Sequence, residues 1–163
     1  MTNHTINILG ISIGTRKTGI AILQGNELTE WETHLFAGWW SEAKEKAIIA
    51  RYEKYIVRNQ ITAIAIKIPP VIPSGSALEY VIQQVQALAD RYRCKTILYT
   101  REGLKQHARL HHSDSLLEYA VLQYPMLRPE YVKEKESKTH YHMKMFEAVV
   151  AADLMFANVR TKQ

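Results

Sequence analysis

The fold is decided by the stretch Ile-Leu-Gly-Ile-Ser-Ile-Gly-Thr-Arg-Lys-Thr-Gly at residues 8–19. Its first six residues are mostly apolar and rich in isoleucine, which is typical of a β-strand, and residues 14–18 supply turn chemistry. The apolar character returns at residues 19–23, and after a second turn at residues 24–27 the chain continues into residues 28–36. Three strands joined by tight turns predict an antiparallel meander.

Further along the chain, strand and helix patterns alternate. Ser41 is placed to cap a helix that runs to about residue 59, and residues 61–68 are almost continuously apolar, as in a central strand covered on both faces. Ser76 begins the clearest amphipathic helix, and residues 95–99 form the fifth strand. Further helices are predicted at residues 101–110, 115–122 and 141–159, with a charged, proline-bounded stretch at 124–138 whose residues 133–138 we expect to be a solvated face or a mobile loop.

This order predicts a single α/β domain over residues 1–163. Its core is a mixed five-stranded sheet, made of a three-stranded antiparallel meander plus two parallel strands, with helices on both faces. Successive side chains of a strand point to opposite faces, so Gly10 and Ser12 share one face of their strand, and Ala65 and Lys67 share one face of theirs. Ser12 and Lys67 therefore approach each other if their two strands pair in parallel.

Composition and charge narrow the class of protein. The chain has 163 residues, is 47% hydrophobic and 23% charged, and carries a formal net charge of +5, which favours contact with polyanions. Its one cysteine, Cys94, excludes an intramolecular disulfide and a thiolate zinc cluster, and we expect it to be packed. No apolar run approaches the roughly 20 residues of a spanning helix, and the N-terminus lacks the pattern of a signal peptide, so we expect a cytoplasmic protein with no membrane contact.

These motifs together resemble the ribonuclease-H-like superfamily, and within it the RuvC-type Holliday-junction resolvases and their YqgF-like relatives. The stretch at residues 8–19 is similar to the first hairpin of that family. The resemblance covers nearly the whole chain and continues at residues 63–67, 76–78, 98–101, 104–105 and 144–148. It implies a ribonuclease-H-like fold, nucleic acid as the partner, in particular branched DNA, and a homodimer as the assembly of active resolvases.

The resemblance also implies a catalytic site, and here the sequence departs from it. In the family, four carboxylates hold two Mg²⁺ ions about 4 Å apart around the scissile phosphate. The matching positions in this chain are Ser12, Lys67, Lys144 and Glu147, whose formal charge is +1 instead of −4. A lysine ammonium about 4 Å from a divalent ion is repelled by roughly 8 kcal/mol at an effective dielectric of 20. We therefore predict that the domain binds no metal and no other cofactor, and we assign no catalytic residue.

The favoured function is that of a catalytically inactive relative that binds nucleic acid through five basic residues, Arg16, Lys17, Lys67, Lys105 and Lys144. Two alternatives stay open. A metal-dependent, structure-specific endonuclease would need Mg²⁺ and other acids, such as Glu79, Asp114 or Asp153, although Asp153 is expected to face away from Glu147. A protein-interaction scaffold would use neither, and in that case a Lys67–Glu147–Lys144 ion network would simply close the cleft.

Two groups of aromatic residues, the histidines and the tryptophans, indicate a function less clearly than the positions above. His107 and His111 are four residues apart, as in some zinc sites, but no cysteine or carboxylate pattern accompanies them, so we expect surface or phosphate-facing histidines. Trp31, Trp39 and Trp40 lie close together in the sequence. A stacking platform for unpaired bases is one interpretation, and packing of the hairpin against the first helix is the favoured one.

Overall fold

The computed structural model describes residues 5–161 and contains the predicted mixed sheet. The strands are β1 (Asn7–Ser12), β2 (Lys17–Gln24), β3 (Glu27–Leu35), β4 (Ala63–Ile68) and β5 (Lys95–Thr100). Their order in the sheet is β3-β2-β1-β4-β5, in which β1, β2 and β3 pair antiparallel while β1, β4 and β5 pair parallel. The predicted combination of a meander and two parallel strands is confirmed.

Six α-helices accompany the sheet in the described part of the chain. They are α1 (Glu42–Arg58), α2 (Ala77–Arg91), α3 (Arg101–Leu110), α4 (Leu116–Gln123), α5 (Arg128–Glu136) and α6 (Met143–Thr161). The predicted caps are present, since the hydroxyls of Ser41, Ser76 and Ser115 accept backbone N–H groups at 3.0, 3.1 and 3.1 Å. Within residues 5–161, every helix is too short or too polar to cross a bilayer.

The charged stretch between α4 and α6 meets the prediction in part. A short 3₁₀ turn, Pro125–Leu127, leads into helix α5. Of residues 133–138 four are exposed, as expected of a solvated face, but Glu134 is buried. Glu134 is buried because of a tertiary contact. It is 3% exposed, and its Oε1 accepts the N–H of His142 at 2.7 Å. Glu134 thus satisfies a backbone donor at the start of α6, and the alternating charges describe only the outer side of α5.

The two faces of the sheet carry different side chains. Leu9 and Ile11 of β1, with Ile64 and Ile66 of β4, lie in the apolar cluster that also contains the buried residues of α1 and α2. The opposite face of the same strands presents smaller residues, and α3, α4 and α6 pack there. Helices therefore cover both faces of the sheet, as predicted.

Helix α6 lies so close to the sheet that two glycines are required beneath it. A Cβ atom on Gly10 would lie 2.2 Å from the carbonyl oxygen of Ala148, and one on Gly19 would lie 2.0 Å from that of Lys144. Both contacts are to backbone, which yields less readily than a side chain. The small residues thus set the distance of α6 from β1 and β2, and with it the position of every side chain that α6 directs at the sheet.

We expect Gly19→Ala to destabilise the fold by about 1–3 kcal/mol, since the added methyl group overpacks the contact with α6. Urea unfolding would measure this change. Gly103→Ala is the matched control, because Gly103 lies inside α3 and a Cβ there meets its nearest neighbour at 3.4 Å. The control should gain about 0.5–1 kcal/mol from the better helix former. Equal effects at the two glycines would contradict the close approach of α6.

Candidate functional site

The first polar cluster lies at the carboxyl ends of β1 and β4. Ser12 and Lys67 are register partners in the parallel pair, and α6 brings Glu147 against both. The Ser12 hydroxyl donates to Glu147 Oε1 at 3.0 Å, and Lys67 Nζ lies 3.1 Å from Glu147 Oε2. The side chain of Glu147 is 3% exposed and that of Lys67 is 11% exposed. A buried carboxylate is therefore held by an ammonium and a hydroxyl.

Arg101 completes this cluster and was not among the predicted site residues. It is the first residue of α3, directly after β5, and its Nη1 donates to Glu147 Oε2 at 2.9 Å. The carboxyl ends of parallel strands meet at one edge of a sheet, so its position after β5 was the sequence signal that would have indicated it. Its side chain is 42% exposed, which gives the cluster an opening to solvent.

Lys144 does not pair with Glu147, as the Lys67–Glu147–Lys144 ion network would require. Its Nζ donates to the carbonyl oxygen of Ile13 at 3.0 Å, beneath the β1–β2 turn, and Arg101 occupies the role of second cation on Glu147. Burial lowers the pKa of Lys144, and the charges of Lys67 and Lys17 lower it further, while Glu147 opposes them. The Lys67–Glu147–Lys144 network is thus corrected to Lys67–Glu147–Arg101, with Lys144 as a cation in an unfavourable field.

A chain of buried hydroxyl groups supports Ser12 from the sheet side. Tyr52 of α1 donates to the Thr18 hydroxyl at 2.8 Å, and Thr18 donates to the carbonyl oxygen of Ser12 at 3.1 Å. Burial raises the pKa of Tyr52, so its hydroxyl keeps its proton. The backbone at the end of β1 is therefore fixed by hydrogen bonds as well as by strand pairing.

The other predicted nucleic-acid-binding residues flank this edge. Arg16 is exposed in the β1–β2 turn, and Lys105 is half-buried one turn after Arg101 on α3. Lys17 lies with its ammonium 5.3 Å from the ring centroid of Tyr141, next to the start of α6. We call Lys17, Lys67, Arg101 and Lys144 the cationic edge. Lys67 and Arg101 pair with the carboxylate of Glu147, and Lys144 lies within the electrostatic reach of Lys67, Glu147 and Lys17.

The residues at this edge do not fit a pair of Mg²⁺ ions. Both oxygens of Glu147 are engaged, Oε1 by Ser12 and Oε2 by Lys67 and Arg101. Magnesium prefers several oxygen ligands, and here nitrogen cations stand where ligands would be needed. Over residues 5–161, no group of three or more His, Cys, Asp or Glu side chains is arranged to hold a metal ion.

A second polar cluster lies farther along α6, around Asp153. Its Oδ1 accepts the Tyr124 hydroxyl at 2.6 Å, and its Oδ2 accepts the Tyr119 hydroxyl and lies 3.0 Å from His107 Nε2. Asp153 thus faces away from Glu147, as expected. His107, however, is 6% exposed, so the prediction of a surface or phosphate-facing histidine is wrong for it, because it joins α3 to α6 through this carboxylate.

The three tryptophans separate into two groups. Trp31 packs against the core on the α6 side, and its Nε1 donates to Glu130 Oε1 at 3.2 Å. Trp39 and Trp40 are 89% and 41% exposed, so the favoured prediction that they pack the hairpin against α1 is wrong. The segment that carries them leaves β3 before α1 begins and stays at the surface.

Cys94 is buried, as expected, and its thiol contacts the Ile61 carbonyl oxygen at 3.2 Å.

Comparison with known proteins identifies the fold. No protein-family model matches the chain, and no curated protein sequence is significantly similar to it. Among solved structures, Thermus thermophilus RuvC in complex with a Holliday junction substrate is similar with a TM-score of 0.65 and 16% identity, covering 96% of this chain and 97% of the other. The yeast mitochondrial Holliday junction resolvase Ydc2 is similar with a TM-score of 0.62 and 12% identity, covering 97% and 81%. The chain has a RuvC-like, ribonuclease-H-like fold.

We expect Glu147→Gln to destabilise the protein by roughly 3 kcal/mol, because it leaves the mostly buried Lys67 without its anionic partner. Adding Lys67→Met to this variant should restore part of the loss, which a double-mutant cycle by urea unfolding would measure. Glu42→Gln, which removes an exposed pair with Lys46, is the control and should leave stability unchanged. Additive losses at Glu147 and Lys67 would show that the two side chains are not coupled.

We expect Asp153 to make the fold sensitive to acid. Burial raises its pKa, but hydrogen bonds from His107, Tyr119 and Tyr124 outweigh burial and hold the pKa below its ordinary value of 3.8. The carboxylate therefore stabilises the fold at pH values above its unfolded pKa, and this contribution is lost as the pH falls through the lower folded pKa. The difference in unfolding free energy between the native protein and Asp153→Asn should be constant near pH 7 and should shrink below about pH 4. A difference that stays constant down to pH 2 would contradict this.

Proposed function

We propose that the protein binds the phosphate backbone of nucleic acid at the cationic edge and does not cut the strand. The observation that carries the proposal is the excess of positive charge there, because four cations accompany one buried carboxylate and two of them, Lys67 and Arg101, already neutralise it. Arg101 and Lys144 are part-buried at this edge, and the 42% exposed side chain of Arg101 leaves the cluster open to solvent. Positive groups so placed gain most from an anion that replaces water.

Lys144 supports this proposal most directly. Its pKa is lowered by burial and by Lys67 and Lys17, which means that its surroundings disfavour the charged form. A phosphate beside it would raise that pKa again and relieve the repulsion between the ammonium groups. Binding of an anion should therefore stabilise the protein, as any ligand of the folded state does.

The class of anion follows from the fold and the overall charge. The similar Thermus thermophilus structure holds a Holliday junction substrate, and the chain described here carries a formal net charge of +5. Arg16 in the β1–β2 turn and Lys105 on α3 add positive charge on elements that also carry residues of the cationic edge. Together these features support DNA, branched DNA in particular, as the ligand, held by contacts that are mainly electrostatic.

Binding without cleavage follows from the chemistry of the same residues. Strand cleavage of the two-metal kind needs carboxylates that clamp the attacking and leaving oxygens between two ions. In this chain the Glu147 carboxylate is neutralised by Lys67 and Arg101, and the hydroxyl of Ser12 is already bonded to it. We infer that the ammonium and guanidinium groups take over phosphate binding from the metals.

The test is binding of a labelled four-way junction and a duplex at several salt concentrations. Lys67→Met and Lys144→Met should each weaken binding to both and reduce the slope of log affinity against log salt by about one. Lys95→Met is the matched control, because Lys95 is exposed at the opposite end of the parallel strands and should change little. Equal affinity of all three variants would contradict binding at the cationic edge.

The same samples decide between the remaining functions. Incubation with Mg²⁺ or Mn²⁺ should leave every strand intact. Nicked junctions that disappear with Glu147→Gln would replace the proposal with a metal-dependent endonuclease. No binding to any nucleic acid at low salt would replace it with a protein-interaction scaffold, and sedimentation of the free protein would show whether it forms a homodimer.

A further inference from the structure

We infer that Trp39 is a stacking surface for an unpaired base of the nucleic acid held at the cationic edge. This inference rests on the proposed function and deepens it by naming a second point of contact. Trp39 is 89% exposed, and Leu35 beside it is 55% exposed. Because the two side chains line one cavity, they form a patch, and an exposed apolar patch is more typical of an interaction surface than a single exposed residue is.

The backbone holds Trp39 outward from both sides. The N–H of Phe36 donates to the carbonyl oxygen of Arg16 at 2.7 Å, which ties the segment to the β1–β2 turn. On the other side Lys44 Nζ donates to the Gly38 carbonyl oxygen at 2.7 Å. Gly38 has φ +88°, a left-handed conformation that favours glycine. The indole is therefore presented on an anchored bend, which limits the ordering cost of stacking a ligand on it.

The surroundings of Trp39 favour a nucleic acid over other partners. An open cavity of about 460 Å³ is lined by Leu35, Phe36, Gly38 and Trp39 together with Arg16. Aromatic faces beside cations that follow a phosphate backbone are the usual construction of surfaces for unpaired strands. The start of α1 adds no net negative charge beside this segment, because two acids, Glu42 and Glu45, are accompanied by two lysines, Lys44 and Lys46.

The position of Trp39 suits a strand that already contacts the cationic edge. Leu35 is the register partner of Lys17, and Ser12 is the register partner of Lys67, so the end of β3 and the end of β4 lie at the same edge of the sheet. Three strand spacings separate β3 from β4, which is about 14 Å. One nucleic-acid strand can span this distance with a phosphate at Lys67 and an unpaired base at the bend.

The experiment measures two changes and their coupling. A duplex with a single-stranded overhang and the same duplex with abasic sites in the overhang carry equal phosphate charge and differ in bases alone. Trp39→Ala should weaken binding of the normal overhang about tenfold, and Trp39→Phe should keep most of the affinity. On the abasic overhang, Trp39→Ala should have no effect, because no base remains to stack.

Leu122→Ala is the control variant, since Leu122 is a 64% exposed apolar residue of α4 away from the β3 end. It should bind both overhangs as the native protein does. A blunt duplex separates the two proposals. The native protein is expected to bind the blunt duplex with strong salt dependence. If it does so, and Trp39→Ala binds both overhangs as the native protein does, the proposed stacking at Trp39 is excluded while binding at the cationic edge is supported.

Other outcomes overturn the inference in different ways. If the native protein binds no nucleic acid at low salt, the proposed function and the stacking surface fail together. If Trp39→Ala converts a dimer to a monomer by sedimentation and leaves overhang binding unchanged, the bend is a contact between two copies of the chain. An equal loss on normal and abasic overhangs would assign Trp39 to the general shape of the surface, and stacking would be excluded.

Discussion

The contact on which the structure depends is the one between the backbone of α6 and the two strands beneath it. Gly10 and Gly19 leave no Cβ in the way, so the carbonyl groups of Ala148 and Lys144 lie directly against the sheet. A helix at this distance can bring a short carboxylate side chain to the ends of β1 and β4. The candidate site is thus a result of packing, and its polar residues meet because small residues allow the layers to approach.

Much of the fold could be predicted from sequence because its signals are local. Alternation along β1 and β4 placed Ser12 and Lys67 on one face, and serine caps marked the starts of three helices. The helix α5 could not be predicted, since the burial of Glu134 depends on a backbone donor at the start of α6. Arg101 had a local signal, its position directly after β5, but its partner Glu147 is 46 residues away and could not be predicted from that signal.

The sequence predicted which residues meet at the candidate site better than it predicted the hydrogen bonds and ion pairs between them. The four positions that match the family's acids do come to one edge, yet Lys144 bonds a backbone carbonyl instead of Glu147. Hydropathy patterns and residue types determine which groups share an edge, but which cation takes a carboxylate depends on side-chain reach and on burial. Trp39 is a similar case, because an aromatic residue near a strand end is more often packed, and its exposure follows from a bend at Gly38 that residue type alone does not specify.

The bond between Glu134 and His142 has a consequence for chain length. It closes a loop between α5 and α6, so the number of residues from the carboxylate to the helix start is specified even though the side chains between them are mostly exposed. Exchange of one surface residue for another would leave this loop intact. Insertion or deletion of a single residue would separate donor from acceptor, so the connection tolerates variation in composition and resists variation in length.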